Sequence, residues 1–224
     1  MRRLVFPLFL GLGGAAVLVA LGLWQLDRLG QKEAYIATIE ARLGAGPGPL
    51  PAKPDRVTDR FLPVAVEGQY LNGDILILAS PRGMGPGYRV VAPFQTTEGR
   101  KILVDRGFVS EGAHGLPRPG GAARLTGNLD WPNETDSFTP KPDTARGIWF
   151  ARNVDALAAA LGTEPVLLVL RETSQFDTPV TPLPVDTAGI PNDHLEYAVT
   201  WFGLALVWLA MTAVLVRRVR RRTA

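Results

Sequence analysis

The chain carries two histidines and no cysteine, and that inventory limits the metal and nucleophile chemistry open to it. Without thiols there is no disulfide framework, iron–sulfur cluster, thiolate zinc site or cysteine nucleophile. A protein zinc site needs three or four ligands, which two distant histidines do not supply. His114 lies in "EGAHGLPRPGG", a Gly/Pro-rich stretch that reads as a solvent-exposed loop. Ser80, Ser110, Ser137 and Ser174 could each be written into a Ser-His-Asp set, yet none stands in a G-x-S-x-G elbow. Hydrolase chemistry therefore finds no support, and no enzyme is expected. His194 is different. It sits in "NDHLEYAVTWF", just before a long uncharged stretch begins, and a neutral imidazole placed there can ligate an iron centre.

The elements that must position His194 are membrane spans. Leu4 to Leu26 contains no charge over 23 residues, and Tyr197 to Val216 none over 20. About 20 apolar residues cross the ~30 Å hydrocarbon core as a helix, so both stretches read as transmembrane helices. The first is longer than a signal-peptide core and runs into "WQLDRLGQKEAY" with no clear cleavage site, so a retained signal anchor is expected. Arg2 and Arg3 precede the first span; Arg217, Arg218, Arg220, Arg221 and Arg222 follow the second. By the positive-inside rule both termini face the cytoplasm or matrix side, and everything between the spans faces the other way. Those seven arginines leave 17 basic against 21 acidic residues between the spans, a net of −4. The overall charge of +3 thus belongs to membrane-anchoring tails and gives no case for nucleic acid.

This topology brings Trp24, Gln25, Arg28 and Lys32 to the same outer membrane edge as His194, Tyr197 and Trp201. An imidazole, cations able to pair with carboxylates and aromatic walls could there hold an amphipathic iron macrocycle with two propionates. The competing reading is a histidine resting in the polar interface on water or headgroups, and residue types alone favour it. On the first span Gly11, Ala15, Leu18, Gly22 and Gln25 share a face suited to close approach of another helix. On the second, His194, Tyr197, Ala198, Trp201, Ala205 and Trp208 share one, and Asp193 with Glu196 resembles a capping box.

The expected organisation is a cytoplasmic N-terminus (1–3), a first transmembrane helix (4–26), and an amphipathic helix with a Gly/Pro linker (27–55). An exported β-rich domain (56–176), a Pro-rich linker (177–191), a second transmembrane helix (192–216) and a basic tail (217–224) follow. The domain reads as seven short strands, "FLPVAVEGQY", "DILILAS", "YRVVAPF", "KILVDRGFV", "ARLTGNL", "GIWFAR" and "PVLLVLRE", with one helix, "NVDALAAALG", ending at Gly162. Asn72-Gly73 signals a hairpin between the first two strands. "VDRGFV" puts Asp105 and Arg106 in a strand followed by Gly107, and reads as a cross-strand ion pair with a bulge glycine. The fold class is a membrane protein with two terminal transmembrane α-helices flanking a mostly antiparallel β domain, a small barrel or sandwich.

"GLWQLDRLGQK" and "NDHLEYAVTWFGLA" resemble the two terminal signatures of the surfeit locus protein 1 family, membrane-anchored assembly factors of haem–copper cytochrome oxidase. The matching positions are Gly22, Trp24, Gln25, Arg28 and Lys32, then Asn192, His194, Tyr197, Thr200, Trp201 and Phe202. "GYRVVAPF", "VDRGFV" and "IWFAR" resemble the family's internal blocks in the same order, so the likeness covers nearly the whole chain. The resemblance implies an assembly factor that binds haem a as cargo and assists its insertion into the catalytic subunit of cytochrome c oxidase. On that resemblance His194 would be the iron ligand. The other matching positions carry over with no assigned chemistry, and Tyr197, Trp201, Trp24, Gln25 and Arg28 are expected around the macrocycle from the topology and residue types. The implied partners are that catalytic subunit, the haem a synthesis enzyme as a further candidate, and the lipid bilayer of a bacterial inner membrane, with the central domain periplasmic. The alternative function is a scaffold, without haem, that stabilises an immature oxidase subunit through the Gly face of the first helix and the β domain.

Overall fold

The computed structural model describes residues 2–143, 146–175 and 179–221. Arg222 of the basic tail and the expected domain boundary at 176/177 lie outside the described residues. The described residues form three α-helices, α1 (Arg2–Leu43), α2 (Val154–Leu161) and α3 (His194–Arg221). At 1.5 Å per residue the 42 residues of α1 extend about 63 Å, roughly twice the hydrocarbon thickness. The 28 residues of α3 extend about 42 Å. Both are long and apolar enough to cross a membrane. Phe6, Phe9, Leu206 and Met211 are exposed along them, apolar surface that lipid would cover. The helices thus fit a two-span membrane protein.

The chain divides into two compact units, Met1–Thr38 with Thr187–Ala224, and Ile39–Asp186. The second unit is built on β1 (Pro63–Tyr70), β2 (Ile75–Ala79), β3 (Gly87–Thr96), β4 (Lys101–Ser110), β5 (Gly121–Asp130), β6 (Ile148–Trp149) and β7 (Leu167–Thr173). Strands β1, β5, β7, β4 and β3 neighbour one another in that order, and β3 pairs back to β1, closing a five-stranded barrel. All these pairings are antiparallel except β4 with β7, where Leu103 stands opposite Leu167. The barrel reading holds over the sandwich, because closure leaves no free edge among the five strands.

The hairpin expected at Asn72-Gly73 does not form. β1 pairs through Gly68–Tyr70 with Thr96–Phe94, and β2 pairs through Ile75–Ala79 with Val91–Gly87. The two strands therefore follow one another along the same edge of the ten-residue β3. The turn, with Gly73 at φ 88°, steps the chain sideways instead of reversing it. An edge long enough for both strands offers ladder hydrogen bonds to each, and the local turn signal yields to them.

Alternation along the strands separates two apolar layers. Val64, Val66, Phe94, Ile102, Val104, Leu125, Leu129, Leu168 and Leu170 fill the barrel. Ile75, Ile77, Val91, Leu103, Leu167 and Val169 face the other way and are covered by Trp149 of β6 and by Val154 and Leu157 of α2. Asn153 caps α2 by accepting from the Ala156 N–H, and Gly162 ends it in the left-handed region at φ 65°. The Gly/Pro and Pro-rich flanks are tied to the barrel by backbone pairing. Gly48 bridges to Val64, and Thr181 exchanges two hydrogen bonds of 2.8 Å with Phe108.

Between Val90 and Val91 the β3–β4 register skips Arg106, so "VDRGFV" does hold a bulge. Gly107 has φ 117°, and a Cβ there would run into the Thr181 carbonyl and Pro182. Gly99 has φ 85° with open space around it. Gly99→Ala is expected to cost about 1 kcal/mol, for the left-handed backbone alone. Gly107→Ala adds the clash and is expected to cost roughly 3 kcal/mol or more. Denaturant unfolding of the full-length protein checks the difference; equal losses would remove the close packing of Thr181 from the account.

Candidate functional site

In the first unit the small residues of α1 are where α3 comes closest. A Cβ at Gly22 would lie 2.7 Å from the Phe202 ring, one at Gly14 2.5 Å from the Trp208 indole nitrogen, and one at Gly11 against Thr212. As the α1 numbers rise the α3 numbers fall, so the helices pack antiparallel with glycine admitting the larger side chains. Gly11, Ala15, Gly22 and Gln25 are buried on α1, and Ala198 and Ala205 on α3. The Gly face that a scaffold would offer to a partner helix is thus already occupied by α3.

At one end of this pair, His194 Nδ1 lies 2.7 Å from Gln25 Oε1. Asp193 takes the N-cap position, since the Tyr197 N–H donates to its carbonyl at 3.2 Å and starts the helical ladder. An amide oxygen only accepts, so the neutral ring carries its proton on Nδ1 and keeps the Nε2 lone pair free. The histidine is half-buried and Gln25 is buried. A ring held in one orientation with one free nitrogen is the form in which imidazole serves as a metal ligand.

The other expected residues are arranged differently. Arg28 donates to Gln31 Oε1 at 2.9 Å, and its guanidinium lies 5.9 Å from the centre of the Trp24 ring. Trp24 and Tyr197 are each about half exposed, at 51% and 55%, whereas Trp201 is half-buried. No hydrogen bond joins Arg28 or Tyr197 to His194 among the described residues. Tyr197 falls off the packed face because the contact stripe centres on Ala198 and Ala205, roughly a quarter-turn away. Phe202, which the face read from the sequence omits, packs on Gly22 instead.

The second unit holds a buried charge network that residue patterns only partly announce. Asp105 shares a strand face with Leu103, under the outer layer, and is wholly buried. Its carboxylate accepts from Arg89 Nε at 2.7 Å, Arg152 Nη1 at 3.3 Å and the Gly107 N–H at 3.1 Å. Arg152 also clamps Glu134, with Nε–Oε1 3.0 Å and its backbone N–H 3.0 Å from Oε2. Arg89 donates further to the Leu183 carbonyl at 2.9 Å. The expected cross-strand ion pair exists, and the partner of Asp105 is Arg89 of the neighbouring strand. Arg106 is the bulge residue and turns to the other side, over the Tyr70 ring.

Burial disfavours the charge on Arg152, yet its hydrogen bonds to Glu134 and the charge of Asp105 outweigh that and hold it above the ordinary arginine value. Burial would likewise raise Glu134, but Arg152 holds it below the usual 4.5. Arg89, Asp105 and Arg152 come one each from "GYRVVAPF", "VDRGFV" and "IWFAR". The signal available in the sequence was a charged residue inside each apolar run; Glu134, in an acidic loop, carried none. His114 is exposed, with its Nδ1 at the Glu111 carbonyl and its ring 5.3 Å from that of Tyr88.

These features define the class: a two-span membrane protein carrying a small closed β-barrel, with its polar chemistry at a helix-pair end and in a buried arginine–carboxylate network. Residues 12–206 match the SURF1 family, and the chain belongs to that family. It is similar to the SURF1-like protein of Rickettsia conorii, 30% identical over 213 residues that cover 90% of this chain and 88% of the relative. The SURF1-like protein of Monosiga brevicollis is 32% identical over 225 residues, 90% and 84% of the two chains. Surfeit locus protein 1 of Homo sapiens is 30% identical over 209 residues, 83% of this chain and 69% of the human one.

Removing the charge at the centre of the network leaves the largely buried guanidinium groups of Arg89 and Arg152 without their shared carboxylate, so Asp105→Asn is expected to cost about 3–5 kcal/mol in denaturant unfolding. Glu134 binds its proton less readily folded than unfolded. Its contribution to stability is present above pH 4.5 and is lost as pH falls through the lower folded value. Glu134→Gln should be less stable than wild type at neutral pH and should flatten the acid limb of the stability curve. An unchanged acid limb would show that other carboxylates set it.

Proposed function

We propose that this chain assists the maturation of a haem–copper cytochrome oxidase by holding haem a at the outer end of the α1–α3 pair, with His194 Nε2 as the iron ligand. The observation that carries the reading is the 2.7 Å contact between His194 Nδ1 and Gln25 Oε1. It ties the histidine at the start of one span to the end of the charge-free stretch of the other and leaves Nε2 the free ring nitrogen. Haem a is cargo here, passed on to the catalytic oxidase subunit, and no catalytic step is assigned to the protein. The resemblance of "NDHLEYAVTWF" to the family's C-terminal signature supports the same residue.

In this reading Gln25 fixes the tautomer and orientation of the ring. Arg28 and Lys32, about one and two turns beyond Gln25 on α1, supply cations for propionates, and Trp201 and Trp24 supply apolar surface. The arginines at both chain ends support termini on the cytoplasmic side of a bacterial inner membrane, with the barrel in the periplasm. The partners are the catalytic oxidase subunit and, upstream, the enzyme that makes haem a.

His194→Ala protein purified from a haem-a-producing host should lose its haem absorption while staying folded. Gln25→Leu should bind haem at least about tenfold more weakly, through loss of the orienting partner. Unchanged haem stoichiometry in His194→Ala protein sinks the ligand assignment. Crosslinking to the oxidase subunit in a haem-a-deficient strain tests the delivery role, since a scaffold would still bind there.

A further inference from the structure

Arg106 is 5% exposed, yet no carboxylate pairs with it among the described residues. Its guanidinium lies 4.2 Å from the centre of the Tyr70 ring, and its described hydrogen bonds leave from Nη2 alone, to the Pro119 carbonyl at 3.1 Å and Gln175 Oε1 at 3.4 Å. Burial pushes the Tyr70 phenol up to about 12, so it is a neutral face and not a counter-ion. Burial also holds Arg106 below the ordinary arginine value, although the charge of Asp74 pulls the other way. Taking a guanidinium out of water without an opposite charge is costly. Carbonyl oxygens and an aromatic face offset part of that cost.

One side of Arg106 is closed, against Val180, Pro182 and Leu170, with only about 10 Å³ of free space. The other side opens on a cavity of about 350 Å³. One wall of this cavity is the 71–74 turn and the other is the 115–120 segment. The two walls are locked together by Arg118, which pairs with Asp74 through both carboxylate oxygens and also donates to the His114 carbonyl at 2.6 Å. Asp74 is thereby spent on Arg118. The cavity is preformed, and its walls carry one excess positive charge, that of Arg106. Leu71, Ala92, Leu116 and Pro117 give the remaining wall an apolar character, and Leu116 is 54% exposed at its rim.

We infer that this cavity is a binding site for the carboxylate of an organic acid with a short apolar body, received by Arg106. A carboxylate matches a guanidinium in plane and in spacing and accepts two of its N–H donors. A single excess positive charge suits a monoanion better than a phosphate dianion. The size lies at the lower end of small-ligand pockets, and the apolar wall gives the acid's carbon body somewhere to pack. Two sources present this chemistry, a free short-chain acid and the carboxylate that ends a polypeptide with an apolar last residue. The site lies within the barrel unit and is independent of the haem reading.

The test uses the full-length protein in detergent and isothermal titration with sodium butyrate, against butyramide and sodium chloride at matched ionic strength. Butyrate should bind saturably and at least tenfold more tightly than butyramide. Arg106→Gln should abolish the difference. Because that variant also removes the stack on Tyr70, Gly115→Phe is the second arm. Gly115 lines the cavity with nothing within 4 Å of a Cβ, so phenylalanine fills the space while Arg106 stays in place. This variant should unfold at the wild-type temperature and lose butyrate binding at least tenfold. A peptide ending in leucine, compared with its C-terminal amide, assigns the source. Tighter binding of the free-acid peptide than of butyrate supports a polypeptide end, and weaker binding supports a small acid. The inference is overturned if wild type shows no saturable butyrate binding, if butyrate and butyramide bind alike, if phosphate binds as tightly as butyrate, or if Gly115→Phe leaves butyrate binding unchanged.

Discussion

The carboxylate of Asp105 is fully out of water, and the architecture of the barrel unit follows from satisfying it. A lone buried carboxylate would be costly to keep charged, so cations must be brought to it with their own donors satisfied. Arg89 arrives from the neighbouring strand β3, Arg152 from the segment after β6, and the Gly107 N–H from the bulge in the same strand. Arg152 then needs Glu134, which pins the long connection after β5 across the outer face of the barrel. Arg89 needs the Leu183 carbonyl, which holds the returning Pro-rich segment. One charge thus fixes the bulge and two long connections, all without regular secondary structure of their own.

The bulge has a second consequence. By letting Arg106 drop out of register with β3, it sends successive charged residues of one strand to opposite sides. Asp105 goes to the outer layer and becomes neutralised. Arg106 goes to the Tyr70 side, where Tyr70 and Phe94 meet edge to face at 5.1 Å, and has no paired carboxylate among the described residues. The same three residues therefore supply both a closed structural network and an open cationic cavity. Gly107 permits this because its φ of 117° and the approach of Thr181 both exclude a side chain.

In the helical unit the equivalent constraint is close approach. Glycine at 11, 14 and 22 of α1 lets Thr212, Trp208 and Phe202 of α3 sit where a Cβ would otherwise stand. With that spacing settled along the pair, Gln25 and His194 meet at 2.7 Å. An interfacial histidine on water would turn freely. One held by a buried amide presents a single nitrogen in a single direction, as the proposed ligand role requires. This is the physical content behind reading His194 as the haem contact.

By itself the sequence determined the parts whose signal is local or periodic. Uninterrupted apolar runs marked α1 and α3, period-two alternation and turn residues marked the strands, and "NVDALAAALG" marked α2. Helical spacing also placed Gly11, Ala15, Gly22 and Gln25 on one face, and the two-span topology set Gln25 and His194 at one membrane edge. Tertiary structure decided the rest. It placed β1 and β2 end to end along β3 against the hairpin signal of Asn72-Gly73, because ladder hydrogen bonds to a long shared edge outweigh one turn. It chose Arg89 as the partner of Asp105, left Tyr197 and Arg28 without a hydrogen bond to His194 among the described residues, and recruited Glu134 from an unremarkable acidic loop. Pairing between distant charges depends on which buried groups must be satisfied once the chain has closed on itself, and no local pattern encodes that requirement.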